Sequence, residues 1–320
     1  MKRLTYIFIV LTTLLLVSCV REDFTQPSPD VVPEGYERIE FVANITDPTT
    51  VTTRAVDPDG LDVNNMTLFC FNEFGLFIST ETATLEQHIP TEGISDSGIY
   101  EATIPSHTRI IHFLANHSEG LYDETNFPGQ TESMVIANME GGSGMLVYWS
   151  RFEMDPDSGK NMHTQLSELK YTIAGKTYEG IKLIRNQAKV TIDDWGQDPS
   201  TEPKFVVTGF RTVNIPAFGT VAPHHPQQHF HIVEDWESTE DFITLPDNQS
   251  LMSDIVDINT KAEDYIFETE NSGDRQVSVI IKGHAPDQTA AEDKYYRIVM
   301  QKEDGSNFMI RRNHHYNIKI

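Results

Sequence analysis

The sequence predicts an all-β protein: two tandem β-sandwich domains behind a lipoprotein signal peptide and a linker. Three observations predict it. Short apolar runs recur along the chain, with turn residues between nearly all of them. No apolar repeat of helical period is sustained over three turns. The chain of 320 residues is long enough for about two domains, and its 38% hydrophobic and 10% aromatic content can fill their cores.

Residues 1–18 read as a signal peptide. Lys2 and Arg3 form a positive start, and Leu4 to Val17 is apolar but too short for a membrane span with stop-transfer flanks. Leu16-Val17-Ser18-Cys19 reads as a lipobox, in which Cys19 becomes the lipidated N-terminus after cleavage. The plainer reading is an ordinary secretory signal with an incidental Cys19. A lipid would tether the mature chain to a membrane without spanning it, and no later segment is apolar enough to span. Residues 19–35, with three prolines and several acids, form the lipidated linker.

The N-terminal domain is expected over residues 36–187. Tyr36–Thr46 alternates cleanly, with Ile39, Phe41, Ala43 and Ile45 on one side, as in a strand with one buried face. It then dissolves into Asp47 to Ala55, a small polar run that carries Arg54. A strand followed by an exposed basic residue in a loose loop could be cut off after folding. Met66–Phe71 and Thr108–Asn116 are apolar on both faces, which predicts central strands. Asn72-Glu73-Phe74-Gly75 turns the first of these into a hairpin with Leu76–Ile78, and Tyr100–Ile104 is another short strand. One short helix is allowed near Thr131–Met139. Met145–Trp149 resumes strand character, and Lys170–Tyr178 turns tightly at Gly175-Lys176. Ile181–Ile192 reads as one long strand at the domain junction. Short strands then continue through the C-terminal domain, 188–320, to Tyr316–Ile320.

Chemistry is scarce. The net charge of −24 argues against a nucleic-acid partner, which needs a basic face. The chain has no nucleophile elbow, zinc-protease helix, phosphate loop or dinucleotide fingerprint. We therefore expect no enzyme, no cofactor and no metal. His224-His225 through His229 and His231 is a conspicuous cluster, but its spacing is irregular and reads as an exposed His-rich loop, as does His314-His315. Cys70, inside an apolar run, reads as a small core residue, and after Cys19 it has no partner for a disulfide. Two glycosylation triplets, at Asn116 and Asn248, mean nothing if the lipobox places the chain in a bacterium. Two rivals belong to other classes. Trp149, Trp195 and Trp236 on one exposed face would make a surface carbohydrate-binding lipoprotein, and a cleft with two perturbed acids would make a secreted hydrolase.

Four segments together resemble the fimbrillin family, the subunits of the type V pili of Bacteroidia. They are the lipobox, strand and Thr53-Arg54-Ala55; Leu183-Ile184-Arg185 leading into Ala188-Lys189-Val190; Val213-Asn214-Ile215-Pro216 with Gly219 and Pro223; and Tyr295-Tyr296 with Arg312-Asn313-His314-His315-Tyr316. Arg21-Glu22-Asp23 also resembles the acidic signal that sends Bacteroidetes lipoproteins to the outer surface. The resemblance implies two transthyretin-like domains and a lipoprotein precursor at the outer membrane and in the surface fimbrium. It implies partners among other fimbrial subunits, with host or bacterial surface ligands for adhesion. An Arg-specific protease would cut Arg54-Ala55 and release Tyr36–Thr46, and another subunit's strand would fill the groove. The family's stalk subunits carry a C-terminal donor strand. This chain ends at Ile320, on the strand matching the Arg-Asn-His-x-Tyr motif, so an anchor or tip position, or an incomplete chain, is expected.

Overall fold

The computed structural model describes residues 32–46, 49–50, 63, 65–90, 94–117, 126–137, 139–142, 146–173, 175–193, 205–225, 231–232, 250–251, 263–271, 276–302, 305–306 and 309–319. From Gly35 onward they belong to one compact unit. Strand dominates, as the recurring apolar runs require. In chain order the first half holds β1 (Tyr36–Thr46), β2 (Thr49–Thr50), β3 (Met66–Phe71), β4 (Phe77–His88), β5 (Ile94–Pro105) and β6 (Ile110–Ala115). Helix α1 (Glu132–Ala137), β7 (Glu140–Gly142), β8 (Tyr148–Glu153) and helix α2 (Met162–Ser167) follow. Then come β9 (Lys170–Ile173), β10 (Lys176–Glu179) and β11 (Ile181–Arg185).

Seven of these strands close on themselves. The hydrogen-bonded order is β1-β11-β8-β6-β3-β4-β5, with β5 returning to β1. The first half thus closes into a barrel-like sheet, where short strands at regular spacing predict a β-sandwich. Its interior collects Ile39, Phe41, Ala43 and Ile45 of β1 with Leu68, Tyr100, Phe113, Tyr148 and Leu183 from its other strands. A second apolar cluster covers the outer side of β3, β6 and β8, where Phe69, Phe71, Leu114 and Trp149 meet Val135 and Ile136 of α1. Both faces of β3 and β6 are therefore dry, which is why their sequences are apolar throughout.

Four elements differ from the sequence-based expectation. β4 and β5 each run for 12 residues, well beyond Leu76–Ile78 and Tyr100–Ile104. The outer half of β4 is weakly buried, so its pairing leaves no apolar pattern to read. Helix α2 has no counterpart in the sequence-based expectation. It is six residues long, with Met162 and Leu166 four apart as its buried pair and Asn161 capping the Thr164 N–H at 3.0 Å. The expected long strand Ile181–Ile192 is two strands, β11 and β12 (Ala188–Asp193). Asn186 breaks it: its backbone N–H donates to the Val147 carbonyl, and its Oδ1 accepts from the Val147 N–H at 3.1 Å. A side chain that bonds neighbouring backbone in this way offers an alternative to the ladder.

The remaining strands are β13 (Val206–Val213), β14 (Ile215–Pro216), β15 (Phe218–Thr220), β16 (His224–His225), β17 (His231–Ile232), β18 (Ser250–Leu251), β19 (Glu263–Ile266), β20 (Ser278–His284), β21 (Lys294–Val299) and β22 (His314–Lys319). The main sheets here are β19-β12-β22-β2 and β13-β20-β21. Val190, Phe210, Val279, Ile281, Ile310 and Tyr316 belong to a third core cluster built from these later strands. β2 joins the first of these sheets by parallel pairing of Thr49 and Thr50 with His314 and His315.

Candidate functional site

β1 is held unequally on its two edges. Along one edge it pairs antiparallel with β5 over its whole length, from Tyr36 opposite Pro105 to Thr46 opposite Ile94. Along the other it pairs with β11 only at Ala43, Asn44 and Ile45. Its inward side chains are pegs in the barrel: Phe41 stacks on Tyr100 at 5.8 Å and meets Phe113 edge-on at 4.9 Å. Beyond those three positions the second edge meets His163 of α2 and Gly180. There the Glu40 N–H donates to Nδ1 of His163, on α2, at 3.1 Å. Gly180 lies so close to Val42 that an added Cβ would stand 2.3 Å from the Val42 carbonyl oxygen, and its φ of +95° itself favours glycine. The sequence pattern reveals the pegs. It misses the covering segment, because nothing local ties Asn161–Gly180 to a strand more than a hundred residues earlier.

Cys19 and Arg54-Ala55 lie outside the described residues. So do Trp195, Trp236 and Asn248. Parts of the other three segments of the resemblance meet at one buried seam. β12 lies parallel to β22, with Val190 opposite Tyr316, and Asn313 Oδ1 accepts from the Arg185 N–H at 3.2 Å. Arg312 reaches into the third segment. Its Nη1 donates to the Val221 carbonyl at 2.7 Å, and Nη2 donates to the Thr220 hydroxyl at 3.0 Å. The same guanidinium forks onto Glu268 through Nε at 2.8 Å and Nη2 at 2.7 Å. Gly219 is required beside it, since a Cβ there would sit 2.2 Å from the Phe267 ring. Tyr295 and Tyr296 stand apart from the seam, exposed on β21.

Of the three tryptophans of the carbohydrate-binding reading, Trp149 is among the described residues. Trp149 is buried and donates through Nε1 to His112 Nδ1 at 2.9 Å, so it cannot serve a sugar platform. His112 passes the bond on: its Nε2–H donates to Glu132 at 2.7 Å, and Arg151 Nε donates to the same carboxylate at 2.5 Å. Burial pushes the Glu132 carboxyl up, but the bonds from His112 and Arg151 outweigh it and hold the group down at about 2. A carboxylate held below its unfolded value stabilises the fold above that value, and the gain is lost as pH falls from about 4.5 towards 2. Glu132→Gln should therefore weaken the fold at neutral pH and flatten the acid limb of stability, measured by urea midpoints between those pH values. Burial also pushes the Cys70 thiol up to about 12, as befits a small core residue. His314 bonds the Arg312 carbonyl and His315 the Thr191 hydroxyl, so this pair is structural and not a loose His-rich loop. His225 stands opposite His231 in the β16–β17 pair, and among the described residues no group of three metal-ligating side chains converges.

No protein-family model and no curated protein matches the sequence. Solved structures do. A fimbrial assembly protein from Parabacteroides distasonis superposes with a TM-score of 0.51 at 16% identity, over 89% of this chain and 90% of that one. The tip fimbrial protein Mfa3 from Porphyromonas gingivalis, with a C-terminal truncation, gives a TM-score of 0.46 at 9% identity, over 88% of this chain and 94% of that one. The present chain shares the fold of the Parabacteroides protein along nearly its whole length.

Proposed function

We propose that this chain is a structural subunit of a bacterial surface fimbria, assembled by strand exchange after lipidation at Cys19 and cleavage at Arg54-Ala55. The observation that carries the reading is the holding of β1. It supplies four inward side chains to the barrel, yet it pairs with β11 at only three positions. Taking it out would open the apolar interior and leave the β5 edge bare, which an incoming strand can satisfy with main-chain bonds and alternating side chains. β2 lies on the same side of Arg54, so one cut would also free the β22 edge that β2 pairs. The fold shared with a fimbrial assembly protein supports the reading.

In this reading the chain is two modules, 36–187 and 188–320, both variants of the transthyretin-like kind, the first with its sheets closed into the barrel while β1 is in place. The break at Asn186-Gln187 and the separate apolar cluster of the later strands support that division. The lipid on Cys19 tethers the precursor to the outer membrane, with the subunit exposed on the cell surface. Its partners are other fimbrial subunits, and the finished fibre meets surface ligands in adhesion.

Limited digestion of the purified precursor with an Arg-specific protease tests this. One dominant cut at Arg54 is expected, with the N-terminal piece still held until a donor strand displaces it, and oligomers forming when a donor subunit is present. Cleavage within the barrel strands before Arg54 would overturn the release step. A precursor that resists altogether would mean that the strand stays in place, as in a membrane anchor.

A further inference from the structure

The groove around β1 has a polar pocket on the side away from the barrel interior. Asn44 alternates with the inward pegs, so its side chain belongs to the outer face, yet only 2% of it is exposed. Its Oδ1 accepts from the Ser97 hydroxyl at 2.5 Å. Its Nδ2 donates to the Glu179 backbone carbonyl at 2.7 Å. Ser97 stands directly opposite on β5 and is itself buried, while Glu179 closes β10 just before Gly180 seals against Val42. One wall of the pocket therefore belongs to the barrel strand β5 and the other to the covering hairpin. Both walls remain when β1 leaves.

The pocket presents the Ser97 hydroxyl as a donor and the Glu179 carbonyl as an acceptor, with the Tyr171 hydroxyl beside Asn44 as a third polar group, and a primary amide, which both donates and accepts, answers them. A leucine in its place would strand the Ser97 hydroxyl and the Glu179 carbonyl in a dry site. An aspartate would set its carboxylate against the Glu179 carbonyl. The neighbouring inward position is narrow as well. Ala43, 3% exposed and opposite Gly98, fills it with a single methyl group. We propose that this groove selects its occupant by an asparagine at the position of Asn44. The strand it accepts is an extended peptide with an aromatic residue at the position of Phe41, a small residue at 43, the amide at 44 and an aliphatic residue at 45. This rests on the strand-exchange reading and names the strand that reading calls for.

The test is peptide exchange into the cut chain. The protein is cleaved at Arg54 and incubated with fluorescein-labelled synthetic peptides spanning 36–46, and uptake is read by polarisation. The native peptide should exchange in. Asn44→Leu and Asn44→Asp peptides should bind at least about tenfold more weakly, the loss expected when one or two buried polar groups go unpaired. A Glu40→Gln peptide, altered at an exposed side chain, should stay within about threefold of native. Equal binding of the native and Asn44→Leu peptides would overturn the proposal. If Arg54 is not cut, the release step fails by itself, and the pocket is tested in the intact chain. There Asn44→Leu should speed amide hydrogen exchange across 36–46 by about tenfold or more while β3 and β6 keep their protection. Unchanged exchange over 36–46 would sink the pocket's role.

Discussion

Arg312→Met should destabilise the fold by about 3–5 kcal/mol, read as a lowered urea midpoint, because it leaves a buried carboxylate alone. Arg312 and Glu268 are 1% and 3% exposed, so water cannot take over the lost bonds. The guanidinium also holds the Val221 carbonyl and the Thr220 hydroxyl, and the Arg312 N–H donates to Glu268 Oε1 at 3.2 Å. The substitution costs the guanidinium bonds to Glu268, Val221 and Thr220 at once and leaves only the backbone N–H on the carboxylate. The pair itself need not be strongly stabilising, since desolvating two charges consumes much of their attraction. The double variant Arg312→Met with Glu268→Leu should therefore recover a good part of the loss. A double variant as weak as the single one would mean that the arginine acts through its contacts to Thr220 and Val221 and not through the charge.

The same seam explains which parts of the fold can be read in the chain. Arg185, Gly219, Arg312 and Asn313 sit in segments that look unremarkable alone, and only the family resemblance groups them. Physics along the sequence cannot, because Asn313 meets Arg185 across 128 positions. β3 and β6 are legible, since two dry faces leave no room for polar residues. β1 is legible because one dry face leaves a clean alternation. Closure of the barrel is not. It rests on the pairing of Ala43–Ile45 with Ile181–Leu183, and periodicity describes one strand at a time. Asn44 misleads for a related reason. A polar residue on the polar side of an alternating strand looks solvated, and its burial comes from a hairpin 135 residues later.

Phe41→Ala tests the strand that the proposed function would discard. Phe41 is 1% exposed and touches Tyr100 and Phe113, so truncation should cost about 3–5 kcal/mol in the intact chain, measured as a fall in Tm and urea midpoint. After cleavage at Arg54 the same change should hasten loss of the N-terminal piece by well over tenfold, because the ring is then a contact across a non-covalent interface. The two effects have one cause. A strand with Ile39, Phe41, Ala43 and Ile45 in the core cannot leave cheaply, and the barrel it leaves exposes both that core and the β5 edge. An incoming strand regains what the departing one surrendered, so exchange is close to balanced in free energy as long as the newcomer fills the same positions. What tips it is the cut. While β1 is covalently joined to the barrel, its effective concentration at the groove far exceeds that of any free competitor. Once Arg54-Ala55 is broken, a competing strand tethered to a neighbouring subunit holds that advantage instead. A Phe41→Ala chain that keeps its full stability would show that β1 is not the keystone of the barrel, and the drive for exchange would have to be sought elsewhere.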